Sequence, residues 1–127
     1  MKRAIVLAVL CGLVCVPAAW SAGKKTKTTV TIDAVFLATA ETQWSGDLKS
    51  TKKACKKGRR VLIYRQRPGA DVKVGSTKGY KGLSDNGYYW SYSEAGAAPT
   101  GKYYAKVKPT AKCKGDRSGT LTGPEGF

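Results

Sequence analysis

A chain of 127 residues with 23 Lys and Arg, 8 Asp and Glu and no histidine carries a formal net charge of +15. That length sets one domain with a single modest core. The missing histidine excludes a Ser-His-Asp triad and any histidine-bound zinc, and a charge so far from zero points to a polyanionic neighbour or to a surface kept soluble by its lysines.

The chain opens M-K-R, runs apolar from Ala4 to Val16, and passes through Pro17 into the small residues around Ser21. This order predicts a secretory signal peptide over residues 1–21. Its apolar run is shorter than the roughly 20 residues that span a bilayer. Cleavage after Ser21 fits best, since a cut after Ala22 puts bulky Trp20 three residues before the bond. Cys11 and Cys15 fall inside the leader and lack the residues that precede a lipidated cysteine. Taking Lys2 and Arg3 from the 23 basic residues leaves 21 against 8 acidic ones, a net +13 on residues 22–127. The expected location is extracellular or periplasmic, with no membrane span in the mature chain. In such a compartment Cys55 and Cys113 form a disulfide. A reactive thiol needs a neighbouring base or helix start to lower its pKa, and no histidine is present to serve.

Residues 22–28 read as a basic linker, and a β-sandwich domain is expected over 29–122 with a flexible tail at 123–127. Thr29–Ala40 is rich in β-branched residues, with Val30, Ile32, Ala34 and Phe36 on one side of a first strand. Thr42–Lys49 is a second strand in which Trp44 and Leu48 point the same way and Gly46 marks a bulge. Ser50–Arg60 is a charged loop around Cys55. A third strand, Val61–Arg67, turns Val61 and Ile63 inward and Tyr64 and Gln66 outward. Pro68-Gly69 turns the chain into a fourth strand, Asp71–Thr77, carrying Val72 and Val74. Lys78–Asn86 is a glycine-rich loop before a fifth strand, Tyr88–Ser93. The sixth, Lys102–Lys108, alternates most clearly: Tyr103, Ala105 and Val107 face one way, the lysines and Tyr104 the other. Those outward lysines read as guards of an exposed sheet edge. Arg117–Thr122 is a short seventh strand. No stretch has helical periodicity. Seven short strands at close spacing predict an antiparallel sandwich, and a Cys55–Cys113 bridge pins one of its ends if the third and sixth strands are antiparallel neighbours.

Several pieces carry a family resemblance: W-S-G-D-L-K-S at 44–50, Cys55 followed by R-V-L-I-Y-R at 60–65, and V-G-S-T at 74–77. D-N-G-Y-Y at 85–89, P-T-G-K-Y-Y-A-K-V at 99–107 and Cys113 before Ser118 continue the pattern. The chain resembles the carboxypeptidase regulatory-like, prealbumin-like (Ig-like) β-sandwich domains of secreted bacterial proteins. The resemblance implies an extracellular seven-strand sandwich with a structural, adhesive or binding role, and it does not imply peptidase activity. The family sets its core aromatic two residues after the turn glycine, at Tyr89, whereas local alternation groups Tyr88, Trp90 and Tyr92. A one-residue slip exchanges the faces, and both assignments stand at this point.

Gly96-Ala97-Ala98-Pro99-Thr100-Gly101-Lys102-Tyr103 nearly spells a phosphate-binding loop, but Tyr103 replaces the hydroxyl that holds magnesium and a strand follows instead of a helix. Two acidic pairs, Glu41 with Asp47 and Asp85 with Glu94, are the candidates for carboxylate-based glycoside hydrolysis. Asp85 reads better as a turn former, and Asp85-Asn86 lacks the further oxygens of a calcium loop. No catalytic residue, metal or cofactor is therefore expected. The remaining surface feature is basic: Lys49, Lys52, Lys53, Lys56, Lys57, Arg59 and Arg60, joined across the disulfide by Lys112 and Lys114. Tyrosines 64, 80, 88 and 104 interleave with lysines and offer rings for stacking on bases or sugars. The expected function is a secreted, non-catalytic module, not an enzyme. The alternative is a polyanion binder for nucleic acid or an anionic cell-wall polymer, set against a lysine run that only keeps a loop solvated. The partners left open are an anionic surface polymer or another extracellular protein.

Overall fold

Residues with alternating polarity and β-branched side chains form strands throughout residues 24–124, the span that the computed structural model describes. The expected leader, residues 1–21, and the last three residues of the expected tail lie outside it. The strands are β1 Thr28–Val30, β2 Ala34–Ala38, β3 Glu41–Ser50, β4 Arg60–Arg65, β5 Val72–Lys78, β6 Tyr80–Lys81, β7 Tyr88–Ala95, β8 Gly101–Val107, β9 Asp116–Arg117 and β10 Leu121–Gly123. One 3₁₀ turn, Lys53–Cys55, is the helical element among the described residues. In the first sheet β1 and β2 lie end to end along one side of β3, and β7 and then β6 follow on the other. In the second, β9 and β10 share one side of β8, followed by β4 and β5. Every strand pair is antiparallel.

The two sheets close on one core. Val30, Val35, Trp44, Leu48, Tyr88 and Trp90 come from the first, and Val61, Ile63, Tyr103, Ala105 and Val107 from the second. The alternation in β8 and in β3 is as the sequence predicts, with Trp44 and Leu48 both buried. In β7, local alternation prevails over the family pattern. Tyr88 and Trp90 are buried, and Tyr92 packs partly against them. Tyr89 faces outward and donates its hydroxyl to Asp85 Oδ2 at 2.7 Å.

Several expectations are corrected. The first strand is two strands, because three residues, Thr31, Ile32 and Asp33, oppose two on β3 between the pairs Val30↔Leu48 and Ala34↔Ser45. The extra residue shifts the phase, so the inward positions are Val30 and then Val35, and Phe36 is only partly buried. Gly46 is therefore not itself bulged: it pairs in register with Trp90 and lies opposite the bulge. A Cβ at Gly46 would stand 1.9 Å from the Thr31 carbonyl oxygen, the same oxygen that accepts the Trp90 indole N–H at 2.9 Å. Only glycine lets the bulge reach the tryptophan. The seventh strand is likewise split, into β9 and β10 on successive stretches of β8. That makes β8 an inner strand, so Lys102 and Lys106 guard no edge. Finally, β6 lies inside the expected 78–86 loop, and the domain begins earlier than residue 29. Thr26 bridges to Cys113 and Thr28 is buried, so the basic linker is tied down at its C-terminal end.

Candidate anion-binding end

The site is assembled at the end of the sandwich where β3 and β8 finish and β4 begins. β4 and β8 are antiparallel neighbours, Leu62 opposite Lys106, so the loops carrying the two cysteines meet there. Cys55 and Cys113 are bonded with Cα atoms 5.6 Å apart, in the usual range for a disulfide. The N-terminal segment joins them: the Thr26 amide donates to the Lys112 carbonyl at 2.9 Å, and the Lys114 amide donates to the Thr26 carbonyl at 2.8 Å. On the opposite flank Gly58 N–H donates to Gly79 O at 3.1 Å, and Gly79 N–H to Arg59 O at 2.9 Å. A Cβ at Gly79 would lie 2.4 Å from Leu48 Cδ1 and 2.6 Å from Lys56 O, so this close approach needs glycine.

The nine basic residues singled out from the sequence separate into two kinds. Lys49, Lys52, Lys53, Lys57, Arg60, Lys112 and Lys114 are exposed around this end, and Lys56 is half-buried with its Nζ 4.9 Å from the centroid of the Tyr88 ring. Arg59 is different. It is only 6% exposed. Its Nη1 donates to Thr28 Oγ1 (3.0 Å) and Cys55 O (3.2 Å), and its Nη2 to Lys108 O (2.8 Å) and Lys114 O (3.0 Å). Burial lowers its pKa from the ordinary value, yet a guanidinium stays charged in proteins. Four acceptors compensate its desolvation. Arg59 is thus a clamp between β1, the Cys55 loop and the Cys113 loop, and both of its terminal nitrogens are already used.

The same contacts bring in cations that the sequence pattern did not flag. Lys24, Lys25 and Lys27 arrive with the Thr26 bridge, Lys108 follows β8, and Lys78 and Lys81 lie on either side of Gly79-Tyr80; all six are exposed. Nothing local announces this, since the Gly58–Gly79 contact joins residues far apart in sequence. Asp116, in the same neighbourhood, turns its Oδ2 to the Val30 amide at 2.9 Å. Other carboxylates lie elsewhere. Asp33, Asp47 and Asp85 gather on the outer face of the first sheet. There burial, followed by the charge and hydrogen bond of Asp33, raises the Asp47 pKa, while the Tyr89 hydroxyl and the Gly87 amide lower that of Asp85. Glu41 and Glu94 are at the far end, paired with Ala95 and Thr42.

The tyrosines sort in the same way. Tyr88 and Tyr104 are buried, so they present no free ring. Tyr104 is covered on the outer face of the second sheet by Tyr64, stacked at 5.5 Å, and by the Arg117 guanidinium 3.8 Å from its ring, while its hydroxyl donates to Asp71. Tyr80 remains 49% exposed at the basic end.

Both acidic pairs are taken apart. Glu41 and Asp47 are six residues apart on β3, about 20 Å at strand rise, whereas the two-carboxylate mechanism needs about 5–9.5 Å. Asp85 contacts Tyr89, and Glu94 lies five residues further along β7, roughly 17 Å away. Gly96–Gly101 is a turn into β8, and among the described residues no helix follows it. A slot of about 250 Å³ near it sets Arg65 and Lys73 against Glu94, a mixed charge unlike that of the disulfide end. No protein-family model matches the chain, and a search of curated proteins returns no match. Among the described residues no helix is long and apolar enough to cross a membrane.

Proposed function

We propose that this chain is a secreted, non-catalytic Ig-like module that binds a polyanion with its disulfide-bonded end. The observation that carries this reading is the concentration of exposed lysines from four segments, residues 24–27, 49–60, 78–81 and 108–114, around one end where the disulfide and Arg59 fix the backbone. Cations held on a rigid frame focus a field that attracts polyanions, and their neutralisation by phosphate or sulfate releases counterions. The strand order supports the Ig-like part of the reading: β1/β2, β3, β7 and β6 against β4, β8 and β9/β10 follow the A-B-E-D and C-F-G pattern of that fold, with β5 added as a further edge strand beside β4. The disulfide supports export. The separation of both acidic pairs supports a non-catalytic role.

The test is binding of the purified protein to inorganic polyphosphate, a sulfated polysaccharide and an oligonucleotide at low and physiological salt. Changing Lys52, Lys53, Lys57 and Lys112 together to Gln is expected to abolish binding at physiological salt. Changing Arg65, Arg67, Lys73 and Lys102 at the far end to Gln is expected to leave most of it. Equal losses from both sets would leave net charge alone as the explanation and overturn the proposal.

A further inference from the structure

At the disulfide end the 3₁₀ turn and the β5–β6 connection enclose a groove of about 420 Å³. Lys53 and Lys57 line one side, Lys78 and Lys81 the other, with Tyr80 and Tyr88 in the wall. Gly58 and Gly79 also line it, joined by a direct backbone hydrogen bond and adding no side chain of their own. Tyr80 sits on the two-residue edge strand β6. Its ring leans on Tyr89 at 6.3 Å, and 49% of the residue stays open to solvent. The nearest acid in the sequence, Asp85, is occupied by the Tyr89 hydroxyl and the Gly87 amide.

Resting on the polyanion reading, we propose that this groove is a site for single-stranded nucleic acid, with the phosphates held by the four lysines and an unstacked base laid against Tyr80. Ammonium groups donate and never accept, which suits phosphate oxygens. The groove offers no carboxylate or amide to hold the hydroxyls of a sugar. A positive groove with an exposed aromatic ring is the general arrangement for single strands, where every base has a face to stack. A duplex keeps its bases stacked on one another and would meet the lysines alone.

The experiment compares a labelled oligothymidylate of about twelve nucleotides, within the usual site sizes, with inorganic polyphosphate and a hairpin duplex. Fluorescence anisotropy at physiological salt is read for the unaltered protein, Tyr80→Ala and Tyr80→Phe. Tyr80→Ala is expected to weaken oligothymidylate binding roughly 5- to 150-fold, to leave polyphosphate binding within about twofold, and to be rescued by Tyr80→Phe. Thermal melting of each variant checks that the edge strand is intact. If oligothymidylate and polyphosphate bind alike and Tyr80→Ala changes neither, the groove assignment falls while the polyanion reading stands. Preference for the duplex would overturn it in the same way. If no polyanion binds at all, both readings fail together.

Discussion

Arg59→Met separates the architecture of the basic end from its charge. The thioether keeps much of the aliphatic stem and removes a guanidinium that serves Thr28, Cys55, Lys108 and Lys114 at 2.8 to 3.2 Å. At about 1 kcal/mol net for each of the four hydrogen bonds, the loss is about 4 kcal/mol. That is a large share of a typical stability of 5–15 kcal/mol. For a domain near 100 residues it corresponds to a fall in Tm of roughly 20 °C. Arg59→Lys should lie between, because one ammonium cannot reach both pairs of acceptors. Urea denaturation supplies the free energy, and anisotropy against polyphosphate, well below both melting points, supplies the affinity. Stability is expected to drop while the folded variant binds within about threefold of the unaltered protein, since one buried charge among many contributes little to the outer field. A variant that melts normally but loses most of its binding would refute the assignment of Arg59 as a clamp.

Three further outcomes follow from the same structure. Replacing Cys55 and Cys113 by Ser reopens a 58-residue separation, for which chain entropy predicts about 4 kcal/mol; calorimetry should show a Tm lower by roughly 20 °C, and an unchanged midpoint on demonstrably oxidised starting protein would contradict it. Gly46→Ala drives a methyl into the Thr31 carbonyl and should cost about 3 kcal/mol or more by chemical denaturation, as overpacking of a dense site does; a loss under about 0.5 kcal/mol, as at an ordinary surface site, would mean that the bulge moves freely. Asp47 and Asp71 should respond to pH with opposite signs. Burial and Asp33 raise the Asp47 pKa, so the folded state holds that proton more tightly than the unfolded chain and loses stability as pH rises through the interval; Asp47→Asn should melt higher at pH 7. The Tyr104 hydroxyl and the Arg67 amide lower the Asp71 pKa, so its contribution is present above the unfolded pKa and disappears as pH falls through the folded one; Asp71→Asn should melt lower at pH 7. Both differences should shrink below about pH 3, where free carboxylates protonate, and a pair of variants moving in the same direction would be inconsistent with these environments.

Period-two alternation was enough to place Tyr103, Ala105 and Val107, or Trp44 and Leu48, because those strands run unbroken against regular partners. It failed at Thr31–Asp33, where the phase shift depends on a glycine fifteen residues later and a tryptophan fifty-nine residues later. Inward and outward positions of β7 were resolved only by the register with β3, Trp90 opposite Gly46. The disulfide was legible from compartment and cysteine number, and its place from the order of strands. The basic cluster was legible as composition but not as a surface. The burial of Arg59 depends on acceptors 31, 49 and 55 residues away, and the arrival of Lys78 and Lys81 depends on two glycines whose contact no local pattern encodes. The lysines of β8 read as guards of an edge because nothing local in the short 117–122 stretch encodes its pairing with β8.

The concentration of binding at one end is tested most directly by titrating a short inorganic polyphosphate into isotopically labelled protein and following every backbone amide. Shifts confined to residues 24–27, 49–60, 78–81 and 108–114 are the predicted result. Shifts of equal size around Arg65, Lys73 and Lys102 would contradict it, and so would none above those produced by salt alone.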